Sequence, residues 1–113
     1  ERGRQREAWR IIQRAHAVAN GLPVAVCNRV GFEKDVNDDT RGIQFWGSSF
    51  IVGQQGEMLA EAGDDSECII SCELELTRTE TVRRIWPFLR DRRIEHYTGL
   101  NQLYLQKFDT KHS

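Results

Sequence analysis

No apolar run in the sequence approaches the roughly 20 residues that a membrane helix requires, so neither a helical span nor a membrane partner is expected within its 113 residues. An excess of one charge is also missing. The 16 basic and 17 acidic side chains leave a formal net charge of −1, and no global field favours nucleic acid or an anionic surface. The charged start Glu1-Arg2-Gly3-Arg4 has no apolar stretch behind it to form a secretory signal, which makes a cytoplasmic location the expectation. Cysteine is sparse, odd in number and without C-x-x-C spacing: Cys27, Cys68 and Cys72 suggest neither a disulfide framework nor a zinc site. His16, His96 and His112 lie far from them in sequence; His16, on the apolar edge of a helix, reads as a packing histidine, and His96 and His112 have no partner that spacing identifies. No metal is therefore expected, and the cysteines read as reduced thiols used as small core residues. Repeats and low-complexity tracts are absent. What remains, 39% hydrophobic and 29% charged, is the composition of one modest globular domain with a thin core.

Ala8, Ile11, Ile12, Ala15, Val18 and Ala19 fall on one helix face, with Arg6, Glu7, Arg10, Gln13 and Arg14 on the other. Asn20-Gly21 supplies a left-handed stop and Pro23 cannot continue the helix. Pro23 to Cys27 is apolar on both alternating faces, as in a strand covered on both sides. Gly31 to Thr40, rich in acids and poor in apolar residues, reads as a solvated loop. Ser49–Val52 and Glu57–Ala62 flank Gly53-Gln54-Gln55-Gly56 as a hairpin, and Ala62 to Ser66 forms the next turn. From Cys68 the chain alternates, with Ile70, Cys72, Leu74 and Leu76 on one face, predicting a half-buried strand. Thr77-Arg78-Thr79-Glu80 has the form of a capping box and starts a helix to about Ile85, ended by Pro87. Beyond it, Phe88, Leu89, Ile94, Tyr97, Leu100, Leu103, Tyr104, Leu105 and Phe108 form a tail without a single period that needs a surface to cover. About four strands and two helices make an α/β layer, and one face of its sheet needs a partner layer.

Cys27 ends the buried strand, but no base is identifiable to activate it as a nucleophile. Asn28 and Arg29 follow at the strand end, where α/β folds meet ligands. Asn28 offers a donor and an acceptor to a ureido group, and Arg29 a fixed cation. The alternatives are that Asn28 caps the strand and that Arg29 pairs with an acid of the Glu33–Asp39 loop. Arg90-Asp91-Arg92-Arg93 is too short and too diluted by acids to be a nucleic-acid patch, and its charges are bracketed by Trp86, Phe88, Leu89 and Tyr97.

The stretch Trp86-Pro87-Phe88-Leu89-Arg90-Asp91-Arg92-Arg93-Ile94-Glu95-His96-Tyr97 resembles the ending of a carbon-nitrogen hydrolase (nitrilase superfamily), most like the N-carbamoylputrescine amidases. So do His16-Ala17-Val18-Ala19-Asn20-Gly21-Leu22-Pro23, Cys27-Asn28-Arg29-Val30-Gly31 and Gly47-Ser48-Ser49-Phe50-Ile51, in the same order. The resemblance implies the C-terminal half of a four-layer αββα sandwich, with 1–85 as the sandwich portion and 86–113 as an extended C-terminal tail at a subunit contact of a homo-oligomer. It implies hydrolysis of a small-molecule amide or carbamoyl substrate such as N-carbamoylputrescine, giving putrescine, ammonia and carbon dioxide, by a Glu, a Lys and a Cys that precede this segment and with no cofactor. The alternative is a truncated, non-catalytic assembly subunit, since the 113 residues alone carry no triad and are expected to be inactive. It further implies that Phe45, Trp46 and Ser48 lie near the mouth of the site, so that Asn28, Phe45, Ser48 and Arg29 are the candidate substrate contacts. Trp86, Phe88, Arg90, Arg92, Arg93 and Tyr97 are the candidate interface residues.

Overall fold

The computed structural model describes residues 1–104; Leu105, Phe108 and His112 lie outside the described residues. The chain opens with helix α1 (Arg2–Asn20), which ends where Gly21 takes φ 60°. The amides of Gly21 and Leu22 turn back to the carbonyls of Val18 and Ala17, closing the helix as a Schellman motif. Five short strands follow: β1 (Val24–Val26), β2 (Val30–Lys34), β3 (Gly42–Trp46), β4 (Phe50–Val52) and β5 (Met58–Glu61). They form an antiparallel sheet in the order β1-β4-β5 and a separate β2-β3 hairpin. Val24 faces Val52 and Val26 faces Phe50 across the first pair. Helix α2 (Thr77–Ile85) and two short 3₁₀ turns at Ile94–His96 and Thr98–Asn101 complete the described chain.

The β4-β5 hairpin forms where its glycines allow. Gly53 and Glu57 close the turn, and Gly56 at φ 75° tucks under α1, where a Cβ would come 3.0 Å from Val18. The core lies between α1 and this sheet: Ala17, Phe50 and Val52 are fully buried, with Trp9, Val24, Val26 and Met58 packed around them. Trp9 meets Phe50 edge-on at 5.5 Å and Trp46 at 6.1 Å, the geometry that aligns a ring edge with a neighbouring π face.

Several expectations change in the folded chain. The sheet-facing side of α1 carries Arg6, Trp9, Arg10, Gln13 and Ala17, whereas Ala8, Ile11, Ile12, Ala15 and Ala19 point outward. The arginines reach the sheet because each finds a partner there: Arg6 Nε donates to Ser48 Oγ at 2.8 Å, Arg14 Nε to the Gly56 carbonyl at 2.9 Å, and Arg10 pairs with Glu61 at 2.6 Å. The Arg10 guanidinium also lies 6.0 Å from the Phe50 ring centroid, within cation–π reach. The acidic stretch after Gly31 is not all loop, because Val30–Lys34 pairs with Gly42–Trp46 through every residue. The charges sit on an exposed two-stranded ribbon, where hydropathy carries little signal. Conversely, the alternating Cys68–Leu76 run forms no ladder among the described residues. Ile69 is almost wholly exposed there, and Leu76 is mostly so. The capping box also does not form: Thr77 is already inside α2, no side chain caps it, and Thr79 Oγ1 accepts from Gln54 Nε2 instead. Cys27 and Cys68 are exposed and Cys72 half-buried, all three free thiols rather than core residues. His16 is exposed on α1.

Candidate functional site

Three chain segments meet beyond the end of β1 around a cavity of about 320 Å³, lined by Asn28, Arg29, Gly47, Ser49, Glu67 and Cys68 among others. Hydrogen bonds brace its rim. Asn28 Nδ2 donates to the Gly47 carbonyl at 3.0 Å, its Oδ1 accepts the Arg29 amide at 2.8 Å, and its own amide donates to Ser49 Oγ at 2.8 Å. The Gly47 amide reaches the Arg29 carbonyl and the Ser48 amide the Gly63 carbonyl. A primary amide group has two N–H donors and two acceptor lone pairs. Asn28 therefore both closes the strand end and retains one N–H and one lone pair at the cavity.

Gly47 and Ser48 take φ 53° and 61° in succession. A left-handed conformation is ordinary for glycine but strained for serine. Ser48 is held there because it is fully buried, with its hydroxyl donating to the Trp46 carbonyl at 2.8 Å and accepting from Arg6. It braces the rim from behind and does not line the cavity. Phe45 also lies off the cavity: it is on β3, and the Arg29 guanidinium stacks 4.0 Å above its ring. Arg29 forms an ion pair with Glu33, so its charge is already matched. Glu67 has no ion pair among the described residues and presents the rim's uncompensated carboxylate. Glu67 does not stand out in the sequence, and Ser49 does so only within the Gly47–Ile51 motif and not as a rim residue; the turn at Ala62–Ser66 was legible, but not that it returns the chain to the end of β1.

No hydrogen bond or ion pair among the described residues joins Cys27 to a base. The indole N–H of Trp46 is buried without a partner among the described residues. Elsewhere, burial raises the Glu57 carboxyl pKa, but the amides of Glu57 and Gln55 and the Arg78 guanidinium outweigh it and hold the group below the usual glutamate range. Arg78 pairs with Glu57 at 2.8 Å, tying α2 to the hairpin turn.

The second concavity, about 570 Å³, lies where α1 and α2 end and is bordered by Arg83, Trp86, Phe88, Leu89, Arg90 and Arg92. Trp86 and Phe88 stack at 6.0 Å and are each nearly half exposed. The interface candidates are thus brought together in part: Arg90 pairs with its neighbour Asp91 and Arg93 with Glu95, while Arg92 Nε donates to the Leu89 carbonyl. Tyr97 is partly exposed between the two 3₁₀ turns. No helix among the described residues is long and apolar enough to cross a membrane.

A family model described as carbon-nitrogen hydrolase matches residues 2–84. The N-carbamoylputrescine amidase of Arabidopsis thaliana is 38% identical over 98 residues, covering 84% of this chain and 32% of that protein. A citrullinase of Francisella tularensis subsp. tularensis is 32% identical over 99 residues, covering 88% of this chain and 34% of its own length. The crystal structure of a carbon-nitrogen hydrolase from Helicobacter pylori G27 superposes with a TM-score of 0.82 at 55% identity, over 90% of this chain and 35% of that one. The chain spans about a third of the length of each of these relatives.

Proposed function

The chain belongs to the carbon-nitrogen hydrolase family, and from that membership we propose that it is the C-terminal part of an enzyme cleaving a non-peptide amide or carbamoyl C–N bond. In this reading a cysteine thiolate attacks the carbamoyl carbon, a Glu relays protons and a Lys steadies the tetrahedral intermediate. The intermediate collapses with cleavage of the C–N bond, the amine leaving with a proton delivered by the Glu, and water then hydrolyses the thioester, or the thiocarbamate formed from a carbamoyl substrate. All three groups belong to the protein's sequence upstream of Glu1, so the 113 residues alone are inactive. The full assembly is a four-layer αββα sandwich in which this chain supplies one three-stranded sheet and its covering helix. It works in the cytoplasm as a homo-oligomer, with Trp86, Phe88 and the neighbouring arginines at a subunit contact.

The charge of the cavity rim supports N-carbamoylputrescine as the substrate. Arg29 is neutralised by Glu33 and covered on one side by Phe45, whereas Glu67 is unpaired among the described residues. N-carbamoylputrescine ends in an ammonium and has no carboxylate, so a rim whose available charge is negative suits it. Citrulline brings a carboxylate that the same rim disfavours. Asn28 meets the ureido group with its remaining N–H and lone pair, while Phe45 and Ser48 shape the rim from behind. Ammonia release from N-carbamoylputrescine by the complete protein tests this reading: turnover supports it, and absence of hydrolysis with this and other carbamoyl or ω-amide substrates refutes it.

A further inference from the structure

The β1-β4 ladder ends at Val26 and Phe50, and β1 then leaves the sheet to start the β2-β3 ribbon. Backbone groups that leave a ladder must find other partners. For Asn28 one hydroxyl supplies both: its amide donates to Ser49 Oγ at 2.8 Å, and Ser49 Oγ donates to its carbonyl at 3.3 Å. Two peptide groups then bracket the Asn28 carboxamide. The Gly47–Ser48 peptide presents its carbonyl to Nδ2 at 3.0 Å, while its N–H is held by the Gly63 carbonyl at 2.9 Å. The Asn28–Arg29 peptide presents its N–H to Oδ1 at 2.8 Å, while its carbonyl is held by Ser49. The first peptide has no room to turn. Gly47 is buried at φ 53°, where a Cβ would come 2.5 Å from Val30 and 2.9 Å from the Gly63 carbonyl, and its own N–H is bonded to the Arg29 carbonyl at 2.8 Å.

We propose that Ser49 is a positioning residue for amide recognition, holding the Asn28 carboxamide in a single sense toward the substrate; this rests on the reading of the chain as part of a hydrolase. A carboxamide turned end for end fits the same space. Here the reversed sense would set Nδ2 against the Arg29 N–H, donor against donor, and Oδ1 against the Gly47 carbonyl, acceptor against acceptor. Leaving such groups unmatched costs more than a hydrogen bond contributes, so one sense is populated. The free N–H of Nδ2 then meets a substrate carbonyl oxygen, and the free lone pair of Oδ1 meets a substrate N–H. A ureido group offers that acceptor and that donor side by side, whereas an ester offers no donor. Ser49 enters through the second peptide. Without its hydroxyl the Asn28–Arg29 peptide can rotate, and Oδ1 loses the donor that defines its sense. Ser49 lines the same cavity, but its one proton is committed to the Asn28 carbonyl, so it acts through Asn28 and not as a nucleophile.

The test is a double-mutant cycle on the complete protein, reading kcat/KM for N-carbamoylputrescine, or for whichever carbamoyl or amide substrate the wild type turns over, with urea unfolding in parallel. Ser49→Ala is expected to lower kcat/KM about tenfold, as Asn28→Ala does, the size of one lost hydrogen bond. In the Asn28→Ala background, Ser49→Ala is expected to change kcat/KM less than about twofold, because nothing is left to position. Equal losses in both backgrounds would overturn the proposal and show that Ser49 touches substrate or supports the fold independently of Asn28. A Ser49→Ala protein as active as wild type would overturn it too. Where Ser49→Ala does not fold, the near-isosteric Asn28→Asp decides. With the sense fixed, the oxygen in place of Nδ2 faces the Gly47 carbonyl and must keep its proton, so kcat/KM relative to wild type falls as pH rises; a ratio independent of pH would overturn the fixed sense. A wild type that hydrolyses no carbamoyl or amide substrate would overturn the hydrolase reading and this proposal with it, whereas an active wild type with additive losses would overturn the positioning role alone.

Discussion

Replacing Ser48 by alanine and by glycine separates two contributions that the wild-type turn combines. Ser48 is fully buried at φ 61°, and its hydroxyl bridges the Arg6 guanidinium and the Trp46 carbonyl. Ser48→Ala removes the bridge and keeps the strain. Leaving a buried donor and acceptor unmatched costs about 1–3 kcal/mol. Ser48→Gly loses the same bonds but relieves a left-handed conformation that costs about 1–2 kcal/mol for a residue with a Cβ. Against that relief stands about 0.4–1 kcal/mol for the greater freedom of glycine in the unfolded chain. The difference, about 0–1.6 kcal/mol, leaves the glycine variant about 0.8 kcal/mol more stable than the alanine variant at its centre, although both are weaker than wild type. Urea unfolding of the complete protein, with midpoints converted through a shared m value, resolves such a gap. A glycine variant as unstable as the alanine variant would refute the claim that strain is stored at this turn. An alanine variant within about 0.5 kcal/mol of wild type, the range of an ordinary surface change, would refute the structural role of the hydroxyl.

Three further outcomes follow from the geometry. The Glu57 carboxyl is held below its usual value of 4.5, so its contribution to stability is present above that pH and lost as pH falls through the depressed value; Glu57→Gln should lower stability at neutral pH and flatten the acid limb of the stability curve, and an unchanged acid limb would refute the assignment. Glu67→Gln should raise KM for N-carbamoylputrescine about tenfold, the size of one weakened charge contact of about 1.4 kcal/mol, while leaving KM for a neutral amide nearly unchanged; equal effects on both substrates would show that Glu67 does not read the ammonium. Truncating Trp86 and Phe88 together to alanine should weaken self-association of the complete protein more than Arg92→Ala with Arg93→Ala does, since buried aromatic anchors cost about 2 kcal/mol or more and exposed ion pairs less than about 1; light scattering that ranks them the other way would contradict the proposed contact.

What the sequence disclosed, and what it concealed, divides along a physical line. Elements set by local chemistry were legible: the Asn20-Gly21 stop of α1, the glycine-turned β4-β5 hairpin, and α2 ending before Pro87. Which surface covers an element was not. The period of α1 identified its apolar stripe, but arginines with partners on the sheet reversed the side that is buried. The Cys68–Leu76 alternation has the period of a strand, yet a ladder needs a neighbour, and none is present among the described residues. Of the candidate substrate contacts, Asn28 and Arg29 do line the cavity, while Phe45 and Ser48 stand behind its rim. Glu67 escaped notice because only the fold returns it to the end of β1. The pairing of Arg29 with Glu33 was among the alternatives read from the sequence, since the two are four residues apart.

We propose that this chain completes a hydrolase whose nucleophile lies elsewhere in the protein. Rapid acid quench of the complete protein during turnover of N-carbamoylputrescine, followed by peptide mass spectrometry, tests it most directly. An acyl adduct is expected on a cysteine upstream of Glu1, with Cys27, Cys68 and Cys72 unmodified. An adduct on any of those three, or turnover without any cysteine adduct when hydrolysis of the intermediate is rate-limiting, would contradict it.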